Sequence, residues 1–373
     1  MRVAPFELER WQSIWEHQVE LNISESGVLP LTAEELLADP AVRERVLRTP
    51  LGYPQTNGSE ELRANIATQY PGAAAANVLV TCGCSEANFV VTWSLLEPGD
   101  EIIFMQPNYM QIAGVAAAFG ATVKTLWLRE HLNWAPDMDD LRKLVTPKTK
   151  LIAVCNPNNP TGVLLSESAM DELCRIAAQC GAWILADEVY RGAELSGVTS
   201  PTFYGRYERV LCTAGLSKAY GLPGLRTGWV VGPADFIDKL WGYHDYTSIG
   251  PAMLTDRLAA IALEPVQREK LFARTREILR RNYPVVRNWV ARHASTLRHV
   301  PPAAGAIAWV GLSGVSSTAE LAEQARARAG LLLVPGEHFG MPGYLRIGYG
   351  YHADKLEKAL AKLEAFLPAS AHA

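Results

Sequence analysis

No stretch of the chain approaches the roughly 20 consecutive apolar residues of a membrane-spanning helix, so the sequence predicts no membrane partner. Cysteine is sparse. The six present, Cys82, Cys84, Cys155, Cys174, Cys180 and Cys212, form no C-x-x-C pair and have no histidine spacing that completes a zinc site. They predict reduced, mostly buried thiols, a cytoplasmic location and no metal. Neither charge dominates: 35 Lys and Arg stand against 39 Asp and Glu, a net charge of -4, and no basic stripe offers itself to nucleic acid. No G-x-G-x-x-G opens a helix after a strand-like run, which argues against a nicotinamide dehydrogenase. The opening "MRVAPFELERWQSIWEHQVELN" interleaves charges with apolar positions and lacks a small-residue cleavage site, so it reads as an amphipathic helix rather than a signal peptide.

What is present is a large apolar fraction. With 373 residues, 49% hydrophobic and 20% charged, the chain can bury a substantial core, in two domains or one large domain with an appendage. Between residues 77 and 232 seven β-rich runs alternate with helical stretches: "NVLVT", "EIIFM", "TVKTLWL", "KLIAVC", "AWILAD", "RVLCT" and "GWVVG". Most are continuous apolar runs, as a sheet covered on both faces requires, so the pattern predicts an open, mainly parallel seven-stranded α/β sheet between helices. Helices are expected over "SEANFVVTWSLL", "YMQIAGVAAAFG" and "SESAMDELCRIAAQCG", the last with Ser166 as N-cap and Gly181 as its stop. After about residue 264 comes a long charged helix with an expected kink at Pro284, then a smaller α+β unit with strands "GAIAWVGL", "LLLVPG" and "YLRIGYG". The expected division is 46-270 as the large domain and 1-45 with 271-373 as the small one, the N-terminal helix packing on the latter.

In an open α/β sheet, ligands bind beyond the carboxyl ends of the strands. Those ends carry Gly83-Cys84-Ser85, Gln106-Pro107-Asn108 with Tyr109, Asn159 within "NPNNPTG", Asp187-Glu188-Val189-Tyr190 and Ser217-Lys218. Lys218 lies among glycines and apolar residues, where desolvation lowers the pKa of an amine and leaves it able to form an imine. Asp187 ends a strand, where a carboxylate can pair with a protonated heterocyclic nitrogen. Arg226 and the amides of Gly83, Cys84 and Ser85 at a helix start offer a phosphate a fixed cation, free N–H donors and a positive dipole end. Tyr109 has a flat face for stacking on a ring. The set fits pyridoxal 5'-phosphate, which needs an imine lysine, an acid partner for its pyridine nitrogen and a phosphate anchor. Within "NPNNPTG", Pro157 and Pro160 end the strand and Gly162 permits the turn. Asn159 is expected to face the cofactor, with Asn156 and Asn158 as turn formers.

The ordered motifs "NPNNPTG", "DEVY", "SKAYGLPGLRTGW" and "YLRIGYG" resemble those of the class I/II aminotransferases among the fold-type I pyridoxal-phosphate enzymes, over nearly the whole chain from "LGYPQTNGSEELRANIA" onward. The resemblance implies a fold-type I PLP-dependent transferase with a large and a smaller domain, and a homodimer with shared active sites. It implies an amino group moved from an α-amino acid to a 2-oxo acid through a Lys218 aldimine and a quinonoid intermediate. Lys218 would be the imine lysine and proton carrier, and Asp187 the partner of the pyridine nitrogen. Asn159 and Tyr190 would bond the phenolic oxygen, Tyr109 would stack on the ring, and Ser217, Arg226 and the amides at Gly83, Cys84 and Ser85 would hold the phosphate. Arg346, with Asn159 beside it, would take the substrate α-carboxylate, for which the guanidinium fork is suited. Tyr53 and the Thr247-Ser248 stretch would reach the phosphate of the neighbouring subunit.

Two departures accompany the match. The position three before the lysine, often serine in this family, is Gly215, with Thr213 or the neighbouring subunit as the expected substitute. The segment "LNISESGVLPL" lacks the usual Gly-x-Pro arrangement that frames the substrate carboxylate. That keeps open β-elimination or replacement, cyclisation or oxidation of an amino acid on the same fold. A regulatory protein on an inherited fold would have lost the lysine or the aspartate, and both are present. Arg346 has a competing reading as the partner of Glu337. His244 and Asp245 read as strand residues bordering a substrate pocket, and Trp11, Trp15 and Trp93 as core.

Overall fold

The apolar runs pair into one sheet. In the computed structural model, which describes residues 2–368, its strands are β1 Val78–Thr81, β2 Glu101–Gln106, β3 Thr122–Trp127, β4 Thr149–Cys155, β5 Trp183–Asp187, β6 Val210–Gly215 and β7 Gly228–Val231. Their order is β1-β7-β6-β5-β4-β2-β3. Neighbours among β2 to β6 run parallel, and β7 is antiparallel to both β1 and β6. The sheet is mainly parallel, as continuous apolar runs require. The carboxyl ends of β1 to β6 and the amino end of β7 therefore share one edge.

Alternation along each strand sends side chains to opposite faces. Leu79, Phe104, Leu151, Leu185 and Leu211 meet helices carrying Val90, Ile112 and Leu240. Val80, Met105, Ile152, Ile184 and Trp229 meet the other layer, with Met170, Leu173 and Phe272. Each large apolar side chain so buried contributes about 1.5–3 kcal/mol, which is why polar residues wait for the strand ends. Strand β3 lies at the sheet edge, and its Thr122 and Trp127 are exposed.

The expected helices form over Cys84–Leu95, Gln111–Ala118 and Glu167–Cys180. Ser166 Oγ accepts the Ala169 amide at 3.2 Å, and Gly181 ends that helix at φ +70°. The helix Pro265–Arg292 continues through Pro284. It leads to a four-stranded antiparallel sheet in the order Val334–Pro335, Tyr344–Gly348, Ile307–Leu312, Leu297–His299.

The run "LLLVPG" is two strands rather than one. Leu331–Leu332 pairs in parallel with Leu21–Asn22, while Val334–Pro335 joins the Tyr344–Gly348 strand. The N-terminal chain thus occupies the first half of the run, and helix α1, Glu7–Trp15, follows it there: Trp11 Nε1 donates to Leu333 O at 2.9 Å. The division at 46 and 270 stays our proposal, its second boundary falling inside the long helix; Met1 and 369–373 lie outside the described residues.

Candidate active site

At the shared strand edge lies a cavity of about 330 Å³, walled by strand ends on one side and by helix α1 with Glu25 and Ser26 on the other. Asp187 enters from the end of β5. Its Oδ2 accepts Asn88 Nδ2 at 3.2 Å and its Oδ1 accepts the Val189 amide at 3.1 Å, while Thr213 Oγ1 holds Asn88 Oδ1 at 2.7 Å. Burial raises the Asp187 pKa, and these donors together with Lys218 oppose the rise. Such a carboxylate, fixed and poorly solvated, is completed by a cation.

Lys218 follows β6 and lines the same cavity. Burial lowers its pKa, Arg346 and Arg226 add to the fall, and Glu25 and Glu9 resist it. The neutral amine is thereby more available near neutrality than that of a surface lysine. Gly27 packs over it, since a Cβ there would stand 3.7 Å from Lys218 Cδ.

The turn between β1 and helix α2, Cys84–Leu95, needs glycine: Gly83 has φ +89°, and a Cβ on it would come 2.6 Å from Arg226 Nη2. Arg226 Nη1 is also 3.4 Å from Ser217 Oγ. A helix N-terminus, a guanidinium and a hydroxyl so assembled form a cup for an anion. Gly215 has no room for the familiar serine, because its Cβ would meet Thr227 O at 2.8 Å. Thr213, expected as a substitute phosphate ligand, is instead bonded to Asn88 behind Asp187.

Arg346 is 1% exposed. Its Nη1 donates to Asn159 Oδ1 at 3.1 Å and its Nη2 to Ser24 O at 2.6 Å, while Nε–H has no acceptor. The alternative partner, Glu337, is occupied by the Thr318 amide at 2.8 Å. Asn159 and Tyr190, 4% and 3% exposed, reach the cavity beside it. Burial raises the Tyr190 pKa, opposed by Arg346 and a bond to Ser26, so the phenol stays protonated. Asn158 and Asn156 serve the turn: Asn158 Oδ1 accepts Thr161 Oγ1 at 2.7 Å, and Asn156 Oδ1 accepts the Leu165 amide at 2.9 Å.

Tyr109 borders the cavity but is anchored by its hydroxyl, which donates to Glu9 Oε1 at 2.8 Å. Tyr53 is not brought in; it stands 94% exposed on another face. Thr247 and Ser248 turn onto Glu86 of their own chain, Ser248 Oγ lying 3.0 Å from its Oε2. His244 closes a helix, Ala234–His244, rather than lying on a strand; it is wholly buried, 3.3 Å from Glu86, and neither it nor Asp245 lines the cavity. Trp11 and Trp93 are partly buried, Trp93 meeting Tyr243 edge-on at 5.0 Å, and Trp15 lies under the Arg326 guanidinium at 3.7 Å.

Sequence reasoning missed the opposite wall. Glu9, Gln12, Ser13 and Glu16 recur at helical spacing on and just beyond α1 and face the cavity together with Glu25. The spacing was the available signal. Gly348 and Gly350 admit the segment that carries Glu25, since a Cβ on either would fall 2.0 Å from Glu25 O and 2.1 Å from Gly27 O, respectively.

The profile of a family described as aminotransferase class I and II matches residues 26–363. Capreomycidine synthase of Streptomyces vinaceus is 33% identical, covering 95% of this chain and 92% of that protein. Arginine–pyruvate transaminase AruH of Pseudomonas aeruginosa is 30% identical, covering 83% and 81%. The solved structure of the PLP-dependent cyclase OrfR superposes with a TM-score of 0.88 at 29% identity, covering 98% of both chains.

Proposed function

The chain belongs to the class I and II aminotransferase family, and from that premise we propose that it withdraws the α-proton of an α-amino acid and transfers the amino group to a 2-oxo acid. Its cofactor is pyridoxal 5'-phosphate, the cofactor of the family. The observation that carries the proposal is that Lys218, Asp187, Arg226 and Arg346 open on one cavity. The residues fit the group: a buried carboxylate awaits a cation, a glycine leaves a guanidinium room beside helix-terminal amides, and Arg346 keeps a buried donor unpaired.

When bound, the cofactor supplies an aldehyde that condenses with amines and a ring that takes up the electron pair left by the departing proton. Lys218 would hold it, and its Nζ would carry the proton to and from the substrate α-carbon. Asp187 would keep the ring nitrogen protonated, and Asn159 and Tyr190 would bond the phenolic oxygen. Ser217, Arg226 and the amides of Gly83 and Cys84 would seat the phosphate, and Tyr109 would stack on the ring. Arg346 orients the substrate carboxylate. We further propose a homodimer in which Tyr53 meets the neighbouring phosphate; the strong exposure of Tyr53, Leu47 and Leu51 supports it.

A second reading, ring closure of the amino acid by its own side chain after the same proton removal, is favoured by the similarity to capreomycidine synthase and to the cyclase OrfR. Holoenzyme incubated with amino acids separates the two. Accumulated pyridoxamine phosphate supports transfer, and product without it supports ring closure. If neither purified nor cofactor-supplemented protein has a visible band that Lys218→Ala abolishes, the enzyme reading is wrong.

A further inference from the structure

We infer that the substrate of this site carries a cation at the end of its side chain, an ammonium or guanidinium seated against Glu16 and Glu25. The inference rests on the functional reading above, with Arg346 holding the α-carboxylate and Lys218 the cofactor.

A charge ledger of the cavity carries it. Its lining contains the cations Lys218, Arg226 and Arg346 and the anions Glu9, Glu16, Glu25 and Asp187. The cofactor's phosphate would answer Arg226, its aldehyde would take up Lys218, its ring nitrogen would answer Asp187, and the substrate carboxylate would answer Arg346. Glu9, Glu16 and Glu25 remain. Glu9 has the Tyr109 hydroxyl, and the cation nearest Glu16 among the ion pairs of the described residues is His17, a side chain 89% exposed, at 3.4 Å. Glu16 and Glu25 line the same stretch of wall, and burial, then the like charge of Glu25, raises the Glu16 pKa. A cation placed there relieves the repulsion between the two carboxylates.

A second observation fixes the other end of the ligand. Arg346, 1% exposed, lines this same cavity with its Nε–H lacking an acceptor. The two ends are mechanically tied: Ser24 O accepts both Arg346 Nη2 at 2.6 Å and Gln12 Nε2 at 3.2 Å, so the acid-bearing helix and the carboxylate anchor share one backbone atom. Glu16 and Glu25 also border an adjoining cavity of about 380 Å³ beside Tyr351, which gives a long side chain space at its far end. A side-chain carboxylate in that position would face like charge.

The test uses holoenzyme with intact Lys218, titrated with arginine, lysine, norleucine and glutamate while the visible band is followed. Arginine or lysine should bind at least roughly 10-fold more tightly than norleucine, the size expected of one charge-assisted bond, with glutamate weakest. In Glu16→Gln and in Glu25→Gln the ratio of cation affinity to norleucine affinity should shrink by about the same factor, a ratio that cancels any change common to both ligands. A wild type that binds norleucine as tightly as the cations, or a preference unchanged in both variants, overturns the inference and leaves the functional reading standing. Absence of the band, or of any response to any amino acid, takes down the functional reading and this inference with it.

Discussion

Replacing Gly83 with alanine separates two demands on the turn that opens helix α2. Its φ of +89° is one that L side chains rarely adopt, which costs between about 1 and 3 kcal/mol. The added Cβ also stands 2.6 Å from Arg226 Nη2, but what it strikes is the tip of an exposed side chain, held by Pro223 O at 3.1 Å and Ser217 Oγ at 3.4 Å. The guanidinium can swing aside at little cost to folding. It then leaves the position from which it would meet a phosphate, forfeiting a charge-assisted bond of about 1.5–3 kcal/mol, or roughly 10- to 150-fold in affinity. Gly72→Ala is the control, with φ +78° and nothing within 4 Å of its added Cβ. Urea unfolding without cofactor should show losses of similar size for the two variants. Titration with pyridoxal 5'-phosphate, followed by absorbance, should weaken for Gly83→Ala alone, by about 10-fold or more. Equal cofactor affinity in wild type and both variants would refute the anion cup.

Asn159→Ala removes the acceptor of Arg346 Nη1 and should raise the KM for the amino acid and shift the pH titration of the visible band. Asn156→Ala leaves the buried Leu165 amide unpaired and should instead cost about 1–3 kcal/mol in urea melts, with the band unmoved; the reverse pattern would exchange the two assignments. Glu86 is subject to burial, which raises its pKa, yet bonds from His244, Thr247 and the Cys82 amide hold it down to about 2 against an ordinary 4.5. A depressed carboxylate stabilises above its unfolded pKa and loses that contribution as pH falls through the folded one. Glu86→Gln should therefore be less stable than wild type at neutral pH, the gap closing as pH falls from about 4.5 toward 2. A gap that stays constant in melts across that range would count against it.

Much of the fold was legible because burial on both faces leaves a strong local trace. All seven runs became strands, and Ser166 and Gly181 bound their helix as capping chemistry requires. The failures also have local causes. "WGYHDYT" is rich in strand-favouring aromatics, yet Ile237, Leu240 and His244 recur on the buried face of a helix. "LLLVPG" looked like one strand because the pattern cannot tell which neighbour each half will pair with. Gly215 looked like a missing ligand, when its hydrogen faces Thr227 O across a strand pair that adjacency in sequence does not reveal.

The sequence by itself determined where strands stop and which polar residues wait at their ends, because those depend on periodicity, turn residues and side-chain chemistry within a few positions. Only the tertiary structure decided that helix α1 would bring Glu9 and Glu16 to the same cavity as Arg346, more than 300 positions away. It likewise decided that Thr247 and Ser248 would turn onto Glu86, and that Tyr53 would stand outside the cavity. Those outcomes depend on which surfaces pack together, since the electrostatics of a site come from charges that long-range packing makes neighbours.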